Sequence, residues 1–149
     1  MIRVQAGPFD PGEELAELAR EAPSSGAIAS FVGLVRPRSG DEPVNLLELT
    51  HYPGFTERIM AEIVEAARQR FSLEACRVVH RFGTLQPGEP IVFVAAASHH
   101  RRAAHDALDY LMDRLKTEAP FWKREHGPAG ARWIEARQQD HEDRSRWEK

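Results

Sequence analysis

Two stretches of this chain, Gly26 to Arg36 and Ile91 to Ala97, carry almost nothing but small and apolar side chains. Successive side chains of a strand point to opposite faces, so an unbroken apolar run leaves neither face for water. Both stretches therefore predict strands buried on both faces, within a sheet that helices must cover. Three such helices are legible. Pro11 to Ala22 puts Leu15, Leu18, Ala19 and Ala22 on one face, and Pro23-Ser24-Ser25-Gly26 stops it. Phe55 to Phe71, entered through Pro53-Gly54, turns Ile59, Ile63, Ala66 and Ala67 inward, and His100 to Lys116 carries the stripe Ala104, Leu108, Leu111 and Leu115. Further strands are predicted at Ile2 to Gln5, Val44 to Tyr52, Ala75 to Phe82 and Arg132 to Ala136. In the third of these, Cys76, Val78, His80 and Phe82 alternate with Arg77, Val79 and Arg81. With 149 residues, 42% of them hydrophobic, the chain is large enough to bury one real core. It reads as a single mixed α and β domain over residues 1–137, followed by a polar, mobile tail at 138–149.

Composition removes several classes of function. A formal charge of -3 argues against a general polyanion binder, so any basic site must be a local concentration. No apolar run approaches the length of a membrane span. Arg3 followed by Asp10, Glu13 and Glu14 does not lay out a signal peptide, and the one cysteine, Cys76, excludes an internal disulfide and suits a reducing, cytoplasmic setting.

The chemistry concentrates at the edges of the predicted elements. Lys116 and Lys123 lie seven residues apart on either side of Pro120. On one helix they would share a face about two turns apart. Pro120 forbids that helix and pushes Ala119 out of the helical region, which predicts a helix ending near Thr117 and a turn starting at Pro120. Both ammonium groups are then free to converge, to bind an anion, and to lower each other's pKa. Arg36 projects where a buried strand ends. His99-His100-Arg101-Arg102 sits at a strand-to-helix corner, where free N–H groups and the helix dipole suit an anion. His99, His100 and His105 resemble a metal cluster only superficially, because adjacent strand residues face apart and no carboxylate or cysteine completes a ligand set. His51 and His80 read as hydrogen-bonded core histidines, Cys76 as an inert packing residue, and Trp122 beside Phe121 as a packing anchor.

Seven segments, Gly26 to Arg36, Leu47 to Thr56, His80 to Leu85, Gly88 to Val94, Ser98 to Arg101, Leu115 to His126 and Arg132 to Arg137, succeed one another in an order and spacing that resembles the catalytic (large) subunit of molybdopterin synthase. The resemblance implies an α+β, α/β-hammerhead fold with a mixed sheet and flanking helices. It implies a sulfurtransferase without cofactor or metal, which converts cyclic pyranopterin monophosphate to molybdopterin. Sulfur would come from the thiocarboxylated C-termini of a small ubiquitin-like carrier subunit, two carriers per product. A homodimer of catalytic subunits within a heterotetramer is implied as well. Carried over, the substrate pocket is Leu34, Val35, Arg36, His100, Arg101, Lys116, Lys123, Arg124, Glu125 and Arg137. Lys116, Lys123 and His100 would be catalytic: Lys116 beside the thiocarboxylate as an amine able to trap the acyl group, Lys123 as a phosphate or pterin contact, and His100 as a proton carrier.

The chain departs from the family pattern after Arg36, where Pro37-Arg38-Ser39-Gly40 replaces an Asp-containing loop with a downstream Asn, and at His99, where a small residue is commoner. Two other classes stay open on sequence. A catalytically silent carrier-binding scaffold would have lost the basic residues, which this chain retains. A nucleic-acid-binding module would use Arg36, Arg38, Arg101, Arg102 and Lys123 on phosphates, against the acidic balance.

Overall fold

The computed structural model describes residues 1–148. A four-stranded mixed sheet is built from β1 (Ile2–Gln5), β6 (Ala75–Arg81), β8 (Pro90–Ser98) and β2 (Ala27–Leu34), in that order. β1 runs parallel to β6 and the other pairs are antiparallel. Helices α2 (Phe55–Phe71) and α3 (Arg101–Glu118) enclose one core with Met60, Ile63, Val78, Val94 and Leu111. Helix α1 (Pro11–Glu21) closes a second with Leu18, Val79, Phe93 and Ala95. Residues Val92 to Ser98 of β8 are all buried, as an apolar run between two helical layers requires.

The other long apolar run behaves differently. β2 is the edge strand and pairs only with β8, and Phe31, Val32 and Leu34 remain 38%, 38% and 52% exposed. Its expected burial on both faces is not achieved within one chain, because nothing lies beyond the edge to cover it.

Helix α1 is also rotated from the expected face. Leu15 and Ala19 are exposed, while Glu14 is buried beside Leu18. The cause is Arg77, which points from β6 into the α1 layer and pairs with Glu14 at 2.7 Å, Glu17 at 3.0 Å and Glu21 at 2.6 Å. A buried guanidinium without a carboxylate is too costly to leave, so the charge sets the helix phase ahead of one leucine. Asp10 caps the helix by accepting from the Gly12 and Glu13 N–H groups, with Pro11 in the first turn.

A second, antiparallel sheet runs β10 (Gly130–Ile134), β9 (Phe121–Gly127), β5 (Leu46–His51), β7 (Gly83–Leu85), and packs around Val35, Leu47, Leu49 and Leu85. Gly83, at φ 97, turns the chain from β6 of the first sheet into β7 of the second, a conformation that an L side chain resists. The loop after Arg36 is a small ribbon, β3 (Arg38–Ser39) against β4 (Glu42–Pro43). Where the sequence suggests a mobile tail from residue 138, the chain forms α4 (Gln138–Ser145) and a 3-10 turn at Arg146–Glu148. Trp147 packs edge-on to Phe71 and Tyr110 and donates to Asp113 at 2.6 Å, which anchors a segment whose composition alone looks unstructured.

Candidate active site

Helix α3 ends as Pro120 dictates. The Ala119 N–H still donates to the Leu115 carbonyl, but Ala119 itself is extended at φ -69 and ψ 123, and the chain leaves the helix. From Phe121 the chain enters β9, a central strand of the second sheet, where the sequence suggests only a turn. The buried Thr56 hydroxyl sets the start of that strand, donating to the Pro120 carbonyl at 3.1 Å while accepting from the Tyr52 N–H at 2.9 Å. Strand alternation then turns Lys123 and Glu125 to one side and Arg124 to the other. Lys116 stands in the last turn of α3 and faces the same side as Lys123.

Together with the end of β2 and the residues before α4, these elements surround an open cleft of about 720 Å³. Of the residues expected from sequence, Leu34, Val35, Arg36, Lys116, Lys123, Glu125 and Arg137 line it. Buried Glu125 lies 4.0 Å from the exposed guanidinium of Arg36 and 3.5 Å from that of Arg132, which places a carboxylate between two cations at the rim. Burial, reinforced by the charges of Lys116 and Arg36 and opposed by Asp140, draws Lys123 down to about 8. Asp140 carries no signal in the sequence. Its burial would raise its pKa, yet the Arg137 N–H at 2.9 Å and the charge of Lys116 hold it below the usual carboxylate range.

Three expected residues are not in this cleft. Arg124 lies on the outer face of β9 with its guanidinium 5.3 Å from the Trp133 ring. His100 is the N-cap of α3 and Arg101 its first residue; both are exposed. At 1.5 Å per residue, His100 and Lys116 are held about 24 Å apart along one helix. One chain therefore cannot bring them together.

The cleft also contains a histidine whose alternation in β6 suggests only a core role. His80 lines it, with Phe121 stacked on its ring at 3.8 Å. Cys76, by contrast, is buried in the helical core, where burial pushes its thiol up to about 11. Among the described residues no group of three His, Cys, Asp or Glu side chains is placed to hold a metal ion, and no helix is long and apolar enough to cross a membrane.

A family model described as MoaE protein matches residues 4–118. The chain belongs to the MoaE family. It is 50% identical over 146 residues to the molybdopterin synthase catalytic subunit of Escherichia coli (strain K12), spanning 98% of this chain and 97% of that one. It is 49% identical over 141 residues to the protein of the same name from Caulobacter vibrioides, spanning 95% and 93%. Among solved structures, the molybdopterin biosynthesis MoaE protein from Burkholderia ambifaria superposes with a TM-score of 0.82 at 42% identity, covering 99% of this chain and 97% of that one. The α+β fold expected from the sequence is the fold of this family. Three cations of the cleft lie at element ends, Arg36 after β2, Lys116 at the end of α3 and Arg137 before α4, where loops leave room for a ligand.

Proposed function

We propose that this chain is the catalytic subunit of a molybdopterin synthase, converting cyclic pyranopterin monophosphate to molybdopterin with sulfur from the thiocarboxylated tail of a small carrier subunit. The observation that carries the reading is the convergence of Arg36, Lys116, Lys123 and Arg137 on one cleft, with Lys123 drawn to about 8. The cations suit the substrate's phosphate and the charge on a departing carboxylate. An amine with that pKa exists partly as free base near neutrality and can take a proton or an acyl group. The sulfur must arrive from outside, because Cys76 lies in the helical core with its thiol pushed up to about 11. A carrier-binding scaffold without activity gives no reason to keep these four cations together.

His100 and Arg101 enter this reading through a second copy of the chain. β2 is an open edge with exposed apolar residues, and its two ends differ. Its start pairs with Ser98, two residues before His100, while its far end leads to Arg36. A two-fold axis across that edge would set the start of one β2 against the far end of the other. His100 and Arg101 of one copy would then approach the cleft of its partner, which unites the expected catalytic set in a homodimer. One carrier at each cleft makes a heterotetramer, working in the cytoplasm.

The deciding experiment is reconstitution. Purified protein, thiocarboxylated carrier and cyclic pyranopterin monophosphate should yield molybdopterin with no added metal or nucleotide. A requirement for ATP, or loss of conversion on chelation, would overturn the mechanism.

A further inference from the structure

Resting on the function just proposed, one buried group of the cleft has no part in sulfur transfer. His80 is 7% exposed, lines the cleft, and is clamped on two sides. Phe121 stacks on its ring at 3.8 Å with the planes 15° apart, and its Nδ1 lies 2.8 Å from the Arg81 carbonyl. A carbonyl can only accept, so the proton sits on Nδ1, and Nε2 carries a bare lone pair. No described protein group bonds Nε2. That nitrogen is not among the described side-chain atoms sealed from solvent without a hydrogen bond, and His80 lines the cleft, so Nε2 stays open to a ligand there.

We propose that His80 is a specificity-determining residue, whose Nε2 lone pair accepts a hydrogen bond from a ring or amino N–H of the substrate's fused heterocycle. The cleft is then divided by chemistry. Arg36, Lys116, Lys123 and Arg137 attract oxyanions, whereas an uncharged acceptor repels them and selects an N–H donor. That division fixes which end of the substrate enters which part of the cleft. Burial, with Lys123 and His51 nearby, pulls His80 down to about 3 against the Arg81 carbonyl, so the ring stays neutral across the physiological range. It is thus an acceptor and not a proton donor at neutral pH.

Three probes test this by calorimetry: cyclic pyranopterin monophosphate, a phosphate-free reduced pterin, and inorganic phosphate. His80→Phe keeps the stack on Phe121 but removes the acceptor. It should weaken both heterocyclic probes roughly tenfold, the worth of one hydrogen bond, while leaving phosphate binding unchanged. His80→Gln, whose Oε1 can occupy the Nε2 position, should recover most of the loss. With isotope-labelled histidine in the unaltered protein, the Nε2 resonance should start as unprotonated and move when the pterin is added. Equal pterin binding by His80→Phe, equal losses for phosphate and pterin, or an Nε2 resonance that ignores the pterin would each overturn the assignment. Failure of the unaltered protein to bind cyclic pyranopterin monophosphate would instead overturn the functional reading beneath it.

Discussion

Lys123 gives up its proton more readily than an ordinary lysine because protein surrounds it and two other cations face it. Single-turnover sulfur transfer should therefore rise with pH around a midpoint near 8, where the ammonium becomes an amine. In Lys116→Ala, which removes one of those cations, that midpoint should move upward, as tracked by lysine NMR. The same depression bears on stability. Between about 8 and about 10.4 only the unfolded chain holds this proton, so the Lys123 contribution to folding grows as pH climbs through that window. Losing either lysine should lower sulfur transfer by about 10- to 150-fold, the worth of a charge-assisted hydrogen bond, with the fold and carrier binding intact. Lys116→Arg separates charge from chemistry: near-normal turnover would leave electrostatic binding and remove any acyl-trapping role. Cys76→Ala should keep full sulfur transfer and lose about 1 kcal/mol in urea unfolding. At this scale the sequence is most informative about charge. Pro120 announces that the two lysines can converge, and Arg36 stands at a strand end. His80 reads as a core residue because strand alternation tells which face a residue takes, not that a second sheet leaves that face beside a cleft. Asp140 is silent because it lies in a segment with no apolar pattern.

Elements are legible wherever apolar periodicity marks them, which covers α2, α3, β6 and β8. β9 escapes because Trp122-Lys123-Arg124-Glu125-His126 has no apolar face to show: one side lines a polar cleft and the other carries Arg124 over Trp133. α4 escapes for the opposite reason, since its attachment rests on Trp147 and on ion pairs with α3, including Arg144 to Glu118 at 3.0 Å and Arg146 to Asp113 at 2.9 Å. Trp147→Ala should therefore lower stability by about 2 kcal/mol in urea unfolding, less than a fully buried tryptophan because the residue is only partly buried. It should also weaken substrate binding, because α4 carries Asp140 at the cleft. An unchanged midpoint would mean that the docked tail adds nothing to the fold.

At the scale of the whole molecule, the exposed edge of β2 and the separation of His100 from Lys116 ask for the same partner. Light scattering at micromolar concentration should report a homodimer, and Leu34→Asp should shift it toward monomer with loss of sulfur transfer; a stable, active monomer would contradict the assembly. The length of α3 also bears on inheritance. Because the helix keeps its two ends about 24 Å apart, a lesion at one end and a lesion at the other would damage different clefts of the proposed dimer. Two defective alleles, Lys116→Ala and Arg101→Ala, should complement each other in one cell. In the proposed dimer each mixed pair would concentrate both defects in one cleft and leave the other whole, so random pairing should restore about a quarter of normal activity. Two alleles damaged at the same end should restore none.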